Sequence, residues 1–71
     1  MITEREKELL HYIIRFKEVN GYSPTVREIA RGINTNSLNH VQEMLEDLKD
    51  KGYLTYKPKS SRTIRILKFS A

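Results

Sequence analysis

The sequence predicts a mainly α-helical fold with a small β-hairpin, arranged as a winged helix-turn-helix in which three helices are followed by a two-stranded wing. Two observations indicate it. Apolar residues recur with helical spacing up to about residue 50 and then alternate with polar residues. Residues that cap helices stand in front of each helical stretch. The length of 71 residues accommodates one domain, which we expect to span 1–71.

The first helix is predicted at about residues 3–19. Thr3 and Glu6 have the spacing of a capping box, in which each side chain accepts a hydrogen bond from the other residue's backbone amide. Asn20 and Gly21 favour the end of the helix. Its apolar face is predicted to contain Leu9, Leu10, Ile13, Ile14, Phe16 and Val19.

The second helix is predicted at about residues 26–32. Thr25 and Glu28 repeat the capping-box spacing, and Gly32 and Asn34 favour a turn after the helix. Asn34 suits that turn because asparagine tolerates the left-handed backbone conformation. The predicted buried face consists of Val26, Ile29, Ala30 and Ile33.

The third helix is predicted at about residues 37–50, with Asn36 or Ser37 as its cap and Gly52 beyond its end. The predicted buried face is formed by Leu38, Val41, Leu45 and Leu48, with Met44 at its edge. At about 100° per residue, the opposite side carries Asn36, Asn39, His40, Glu43, Asp47 and Asp50, with Glu46 beside them and Gln42 nearer the boundary.

The wing is predicted at about residues 53–67. Leu54 and Tyr56 alternate with polar residues, as do Ile64 and Ile66, so we expect strands at roughly 53–57 and 62–67. The polar loop between them contains Pro58, Lys59, Ser60 and Ser61.

The formal charge is unevenly distributed. Residues 1–48 carry six Lys or Arg and eight Asp or Glu, whereas residues 49–71 carry seven basic residues and one acidic residue. A basic last third indicates contact with a polyanion, although a solvated basic tail would have the same composition. There is no cysteine, no signal peptide and no apolar run long enough to span a membrane, so we expect a cytoplasmic protein.

The polar face of the third helix indicates what the protein binds. Its first half carries hydrogen-bonding side chains that can pair with base edges in the major groove, whereas its second half carries carboxylates that phosphates repel. The helix is therefore expected to approach double-stranded DNA with its N-terminus first. The basic residues of the wing would then contact the phosphate backbone beside the groove.

At this point residues 3–67 resemble the DNA-binding domain of the LexA repressor family, bacterial regulators of the DNA-damage response. The most specific segment runs from Gly21 to Ala30 (GYSPTVREIA), at the entry to the second helix. Ser37-Leu38-Asn39 with Val41-Gln42-Glu43 and Leu45 resembles the recognition helix of the family. Leu48 with Lys51-Gly52-Tyr53-Leu54, and Ser61-Arg62 with Ile64-Arg65 and Leu67, resemble the start and close of its wing.

The resemblance implies that five residues occupy base-reading positions, of which Asn39 is the most secure. These residues are Ser37, Asn39, His40, Gln42 and Glu43. We expect the DNA backbone to be contacted by Thr25, Arg27, Asn36, Lys57, Lys59, Ser60 and Arg62. The expected protein is a small bacterial or mobile-element transcriptional regulator, bound to double-stranded DNA as weak or DNA-assisted pairs on inverted half-sites.

Three residues depart from the family pattern: Asn34 stands where glycine is usual, His40 replaces a small residue, and Asn36 replaces a basic one. The DNA sequence recognised is therefore expected to differ from that of the family. The family's second domain holds a Ser-Lys pair that cleaves its own linker, and it also forms the dimer. Residues 1–71 contain no counterpart, so neither self-cleavage nor damage-triggered induction is expected here.

Other functional classes fit the sequence less well. His11 and His40 lie on different predicted helices, without cysteine or a nucleophile motif, so we expect no enzyme activity, catalytic residue, metal site or cofactor. No small-molecule substrate is evident. RNA binding lacks an aromatic stacking platform on a sheet. The remaining alternative is a winged-helix module that binds another protein, such as an antirepressor.

Overall fold

A computed structural model describes residues 2–68 as three helices followed by a two-stranded antiparallel sheet. The elements are α1 (Glu4–Asn20), α2 (Val26–Gly32), α3 (Leu38–Asp50), β1 (Leu54–Thr55) and β2 (Arg65–Ile66). This element order is that of a winged helix-turn-helix, which confirms the predicted fold class. The predicted helix limits of 3–19, 26–32 and 37–50 differ from the observed ones by at most one residue at each end.

Both predicted capping boxes are present. The Glu6 amide donates to the Thr3 hydroxyl at 3.1 Å, and the Thr3 amide donates to the Glu6 carboxylate at 2.9 Å. The same reciprocal pair joins Thr25 and Glu28, with distances of 3.1 and 2.8 Å. Each box satisfies amides that have no partner within the helix, which fixes where α1 and α2 begin.

The turn between α2 and α3 contains the left-handed residue that the sequence predicts. Asn34 has a φ of 61°, and the following Thr35 amide donates to the carbonyl of Ala30 at 2.9 Å. Beyond α3, Gly52 adopts a φ of 82° and its amide donates to the Lys49 carbonyl at 3.0 Å. A glycine suits this position because it has no Cβ to oppose a positive φ.

One hydrophobic core joins the three helices to the hairpin. Its buried apolar residues are Leu9, Leu10, Ile13, Ile29, Ala30, Ile33, Val41, Met44, Leu45, Leu48, Leu54 and Ile64. Five residues of the predicted apolar faces are not among these buried residues: Ile14, Phe16 and Val26 are partly buried, and Val19 and Leu38 are exposed. Val19 is 76% exposed because residues 17–22, at the end of α1, all project into solvent. Leu38 is 40% exposed because it begins α3 beside an open groove.

The wing strands are shorter than predicted. The ladder pairs Leu54 with Ile66 and Thr55 with Arg65, and beyond it the Leu67 amide donates to the Tyr53 carbonyl at 2.8 Å. The predicted strands 53–57 and 62–67 were therefore too long, mainly at the loop end. The reason lies in the loop, where the Lys57 amide donates to the Thr63 hydroxyl at 3.0 Å and is not paired with a strand carbonyl. Lys59 and Arg62 also have positive φ values of 62° and 58°, which an extended strand does not permit.

A cluster of charged side chains connects the start of α1 to the end of α3. The Lys51 ammonium lies 2.9 Å from the Asp47 carboxylate and 3.4 Å from that of Glu6, which is almost completely buried. The Asp47 carboxylate, assisted by Glu6, raises the pKa of Lys51 above its ordinary value of 10.5. These contacts hold the end of α3 in place, and with it the orientation of the helix against α1.

Candidate nucleic-acid interface

The N-terminus of α3 is fixed by Ser37. Its hydroxyl accepts a hydrogen bond from the His40 amide at 3.1 Å, and its own amide donates to the Thr35 hydroxyl at 3.2 Å. Of the two residues predicted as possible caps, Ser37 therefore has this role, while Asn36 lies before the helix with an exposed side chain. A well-defined helix start gives the side chains that follow it a fixed direction.

The side chains predicted to read bases are all on the solvent side of this helix. Asn39, His40, Gln42 and Glu43 are exposed, as is Ser37. His40 Nδ1 lies 4.0 Å from a Glu43 carboxylate oxygen, a distance at which the two form an ion pair only when the imidazole is protonated. The first two turns of α3 therefore present amide, imidazole and carboxylate groups without a covering element.

An open groove of about 870 Å³ separates α3 from the wing. Seven of the predicted DNA-contacting residues line it, namely Thr25, Arg27, Gln42, Lys57, Lys59, Ser60 and Arg62. The other five, Asn36, Ser37, Asn39, His40 and Glu43, do not line it. On a helical projection Asn39 and Glu43 lie next to Gln42 and Glu46, so they border the groove on its outer side.

The two sides of the groove differ in charge. The wing contributes Lys57 and Lys59, whereas the second half of α3, called the acidic side here, contributes Glu46 and Asp50 with Lys49 between them. Burial, with further effects from Glu46 and Asp50, raises the pKa of the Tyr56 hydroxyl above its ordinary value of 10.0. Tyr56 is therefore neutral at physiological pH and adds no negative charge to the acidic side.

The wing loop holds its lysines outside the body of the domain. The Thr63 hydroxyl accepts from the Lys57 amide at 3.0 Å and is 3.3 Å from the Ser60 carbonyl, so it connects the two sides of the loop. Lys57, Lys59 and Ser60 are exposed. Within residues 2–68, neither lysine forms an ion pair, which leaves both ammonium groups available to an anion.

Arg62 is oriented differently from these lysines. Its two terminal nitrogens donate to the two carboxylate oxygens of Glu28 at 3.0 and 3.2 Å, and one of them also donates to the Ser23 carbonyl at 3.1 Å. The guanidinium lies 4.5 Å from the centre of the Tyr22 ring. Arg62 was predicted as a backbone contact like Lys57 and Lys59, but three of its five N–H donors already have partners within the protein.

Glu28 pairs with Arg62 in a way that the sequence did not predict. It was identified only as part of a capping box, and a partner 34 residues away in the chain leaves no signal in the spacing. The Thr25 amide, together with the Arg62 guanidinium, holds the pKa of Glu28 below its ordinary value of 4.5. Glu28 is therefore ionised at neutral pH and pairs with Arg62 as a carboxylate.

The described residues show no feature of a metal centre or a membrane segment. His11 lies on α1 and His40 on α3, and residues 2–68 contain no group of three or more potential metal ligands among His, Cys, Asp and Glu. In the same part of the chain, no helix has both the length and the apolar character needed to cross a bilayer.

Comparison with known proteins connects this chain to one family. The family model described as LexA DNA binding domain matches residues 1–63. The LexA repressor of Anaeromyxobacter sp. (strain Fw109-5) is 43% identical over 63 residues, which cover 89% of this chain and 27% of that protein. The LexA repressor of Sorangium cellulosum is 42% identical over 64 residues, with coverage of 90% and 28%. LexA repressor 2 of Geobacter sulfurreducens is 42% identical over 65 residues, which cover 92% of this chain and 32% of that protein. The chain therefore spans about a third or less of these relatives.

Proposed function

We propose, from the premise that this chain belongs to the family of LexA DNA-binding domains, that it binds double-stranded DNA at specific sequences and serves in bacterial or mobile-element transcriptional regulation. The observation that carries the proposal is the arrangement around the groove. Exposed hydrogen-bonding side chains on the first half of α3 border one side of it, and exposed lysines of the wing loop line the other. This is the combination needed to read bases and hold phosphates together.

In the proposed complex, the first half of α3 enters the major groove. The Asn39 and Gln42 amides can each donate and accept, which matches the two hydrogen-bonding groups of an adenine edge, and Glu43 can accept from a cytosine amino group. Ser37 and His40, at the start of the helix, complete the proposed base-reading set. These side chains are exposed, so they can reach base edges without a rearrangement of the core.

The charges of α3 favour insertion by its N-terminal end. Glu46, Asp47 and Asp50 are exposed along its second half, where contact with phosphates would be repulsive. Lys51 neutralises Asp47 at 2.9 Å, but Glu46 and Asp50 have no such partner within residues 2–68. We therefore propose that the second half of α3 points away from the DNA.

Phosphate contacts are proposed for the wing loop, for the start of α2 and for the residue before the cap of α3. The candidates are Lys57, Lys59 and Ser60 in the loop, Thr25 and Arg27 at the start of α2, and Asn36 before α3. One copy offers few contacts, so a single domain would bind weakly. We propose that two copies occupy inverted half-sites, because a two-fold arrangement doubles the contacts on one DNA molecule.

A protein partner is the second candidate function, and one observation favours it. Glu46 and Asp50 line the same groove as Leu38, which is 40% exposed. An acidic surface beside an apolar side chain fits a basic, partly apolar protein surface better than it fits phosphate. The salt dependence of binding separates the two candidates, because DNA binding releases counterions from several phosphates.

The proposed function is tested by the affinity for duplex DNA over a salt series. With four to six phosphate contacts, log K against log salt should have a slope of about −4 to −5. Lys59→Ala should weaken binding to every duplex and reduce the size of the slope by about 0.9. Lys7→Ala removes an equal charge from α1, beside Glu4, and should leave the slope unchanged. Absence of duplex binding at low salt, or equal effects of both variants, would contradict the proposal.

A further inference from the structure

The wing is connected to the start of α2 by an arginine that adopts an uncommon backbone conformation. Arg62 has a φ of 58°, in the left-handed region that residues with a Cβ rarely occupy. Such conformations persist where the surrounding structure determines them, and they cluster at functional sites. Here the determining contacts are the two hydrogen bonds to Glu28, the one to the Ser23 carbonyl, and the face of the Tyr22 ring.

A second contact joins the same two parts of the chain. The hydroxyl of Ser23, which is buried, donates to the Ile64 carbonyl at 2.5 Å. Residues 22–28 are thus attached to residues 62–64 by side chains of both segments, with Ser23 donating to one and Arg62 donating to the other. Because Glu28 also accepts from the Thr25 amide at 2.8 Å, the wing is attached to the residues that fix the first turn of α2.

The hairpin itself provides little restraint on its loop. Each strand contains two residues, and two-stranded hairpins of this size are marginal without further packing. From Tyr56 to Thr63 the chain has left the ladder, and this segment carries both lysines of the proposed phosphate contact. The position of those lysines relative to α3 therefore depends on contacts outside the sheet. These include the bidentate pair of Arg62 with Glu28, called the fork below, the hydrogen bond from Ser23 to Ile64, and the packing of Tyr56 and Ile64 against the core.

We propose that Arg62 is a positioning residue for DNA binding and not a phosphate ligand: its fork to Glu28 fixes the wing loop, and so sets the distance of Lys57 and Lys59 from the base-reading face of α3. The inference rests on the proposed function and assigns a role within it. Bidentate arginine–carboxylate pairs suit such a task, since two parallel hydrogen bonds fix orientation as well as distance.

The proposal can be tested by whether a substitution of Glu28 strengthens or weakens DNA binding. Glu28 is a carboxylate next to the surface proposed for DNA, so electrostatics alone predicts that Glu28→Gln binds DNA more tightly. If Glu28 acts through Arg62, the same substitution loosens the fork and binding becomes weaker. Gln retains an oxygen that can accept from the Thr25 amide, so the cap of α2 is largely preserved.

The experiment compares Arg62→Ala, Glu28→Gln and the double variant, with Lys59→Ala as the variant that loses a proposed phosphate contact. Affinity is measured for duplex DNA over a salt series, and thermal unfolding reports whether each variant is folded. Arg62→Ala and Glu28→Gln should each weaken binding by about three- to tenfold with the salt slope unchanged. The double variant should be no weaker than Arg62→Ala alone, because both substitutions remove one interaction.

Arg62→Lys supplies a variant that keeps the charge and perturbs folding less. A lysine cannot form the fork, so its affinity should also fall with the slope unchanged. Three results would each overturn the proposal. Near-normal affinity of Arg62→Lys, or a slope reduced by about 0.9 in Arg62→Ala, would indicate that the charge of Arg62 contacts a phosphate directly. Tighter binding by Glu28→Gln would indicate that Glu28 acts on DNA by charge repulsion and not through Arg62.

A readout without DNA separates this inference from the proposed function. Amide hydrogen exchange at residues 57–61 should accelerate in Arg62→Ala and Glu28→Gln, and should be unchanged in Lys59→Ala outside the substituted residue. If the unmodified chain binds no duplex at low salt, the proposed function fails and so does any role of Arg62 in DNA affinity. If it binds, but exchange in the loop is unaffected by either substitution, only the positioning role fails.

Discussion

At the scale of single residues, the proposed interface depends on which polar side chains are available. Asn39 is exposed in the first turn of α3 and forms no hydrogen bond within residues 2–68 through its side chain. Arg62, by contrast, has three of its five N–H donors directed to Glu28 and Ser23. The number of side-chain donors and acceptors without a partner in the protein, more than charge, therefore distinguishes a candidate base contact from a residue that holds the wing in position.

Asn39→Ala is expected to reduce specific affinity by about 1–3 kcal/mol and to leave non-specific binding nearly unchanged. The reason is that the amide can match both hydrogen-bonding groups of one base edge while it carries no charge for the phosphates. The measurement is a pair of titrations, with a duplex that the protein selects and with a scrambled duplex of the same composition. An equal loss on both duplexes would contradict base reading by Asn39.

The sequence predicts local contacts between residues well and distant ones poorly. Thr3 with Glu6, and Thr25 with Glu28, could be identified because a capping box has a fixed spacing of three residues. The pair of Arg62 and Glu28 could not, because the tertiary fold brings them together across 34 residues. For the same reason, the charge of Arg62 suggested a phosphate contact, and only the fold shows that three of its five N–H donors are occupied.

At the scale of elements, helix ends were predictable and strand ends were not. The caps of α1 and α2, and the glycine after α3, lie at positions that their own chemistry requires. The strands end early because the Thr63 hydroxyl takes the place of a ladder partner for the Lys57 amide. A side chain that competes for a backbone hydrogen bond in this way is not evident from an alternating pattern.

The packing of α1 against α2 contains a close approach that gives a prediction. Gly32, the last residue of α2, faces the Tyr12 ring of α1, and a Cβ at this position would overlap that ring. Alanine is a better helix former than glycine by about 1 kcal/mol. Overpacking, however, costs about 1–3 kcal/mol, so Gly32→Ala should lower the free energy of unfolding by about 1 kcal/mol overall.

Chemical denaturation of Gly32→Ala, followed by circular dichroism, provides the measurement. In a Tyr12→Ala background the obstacle is absent, so the same substitution at Gly32 should be neutral or stabilising. A single Gly32→Ala variant that is more stable than the unmodified chain would show that the Tyr12 ring moves aside without cost, and that this contact does not set the distance between α1 and α2.

At the scale of the whole molecule, the fold brings two chemically different surfaces to one groove. The helical part supplies uncharged polar groups at the start of α3, and the wing supplies the free lysines. The uneven charge of the sequence predicted a basic end but not its position relative to α3. That position arises from the core, from the Ser23 contact with Ile64 and from the fork between Arg62 and Glu28.

Selection from a pool of randomised duplexes at moderate salt, with sequencing of the bound fraction, tests whether α3 reads bases while the wing holds phosphates. We predict enrichment of one half-site, singly or as an inverted pair, and loss of that enrichment in Asn39→Ala. Binding of the pool without enrichment of any sequence would contradict base reading by α3. No binding even at low salt would contradict the DNA-binding function and favour a protein partner at the groove.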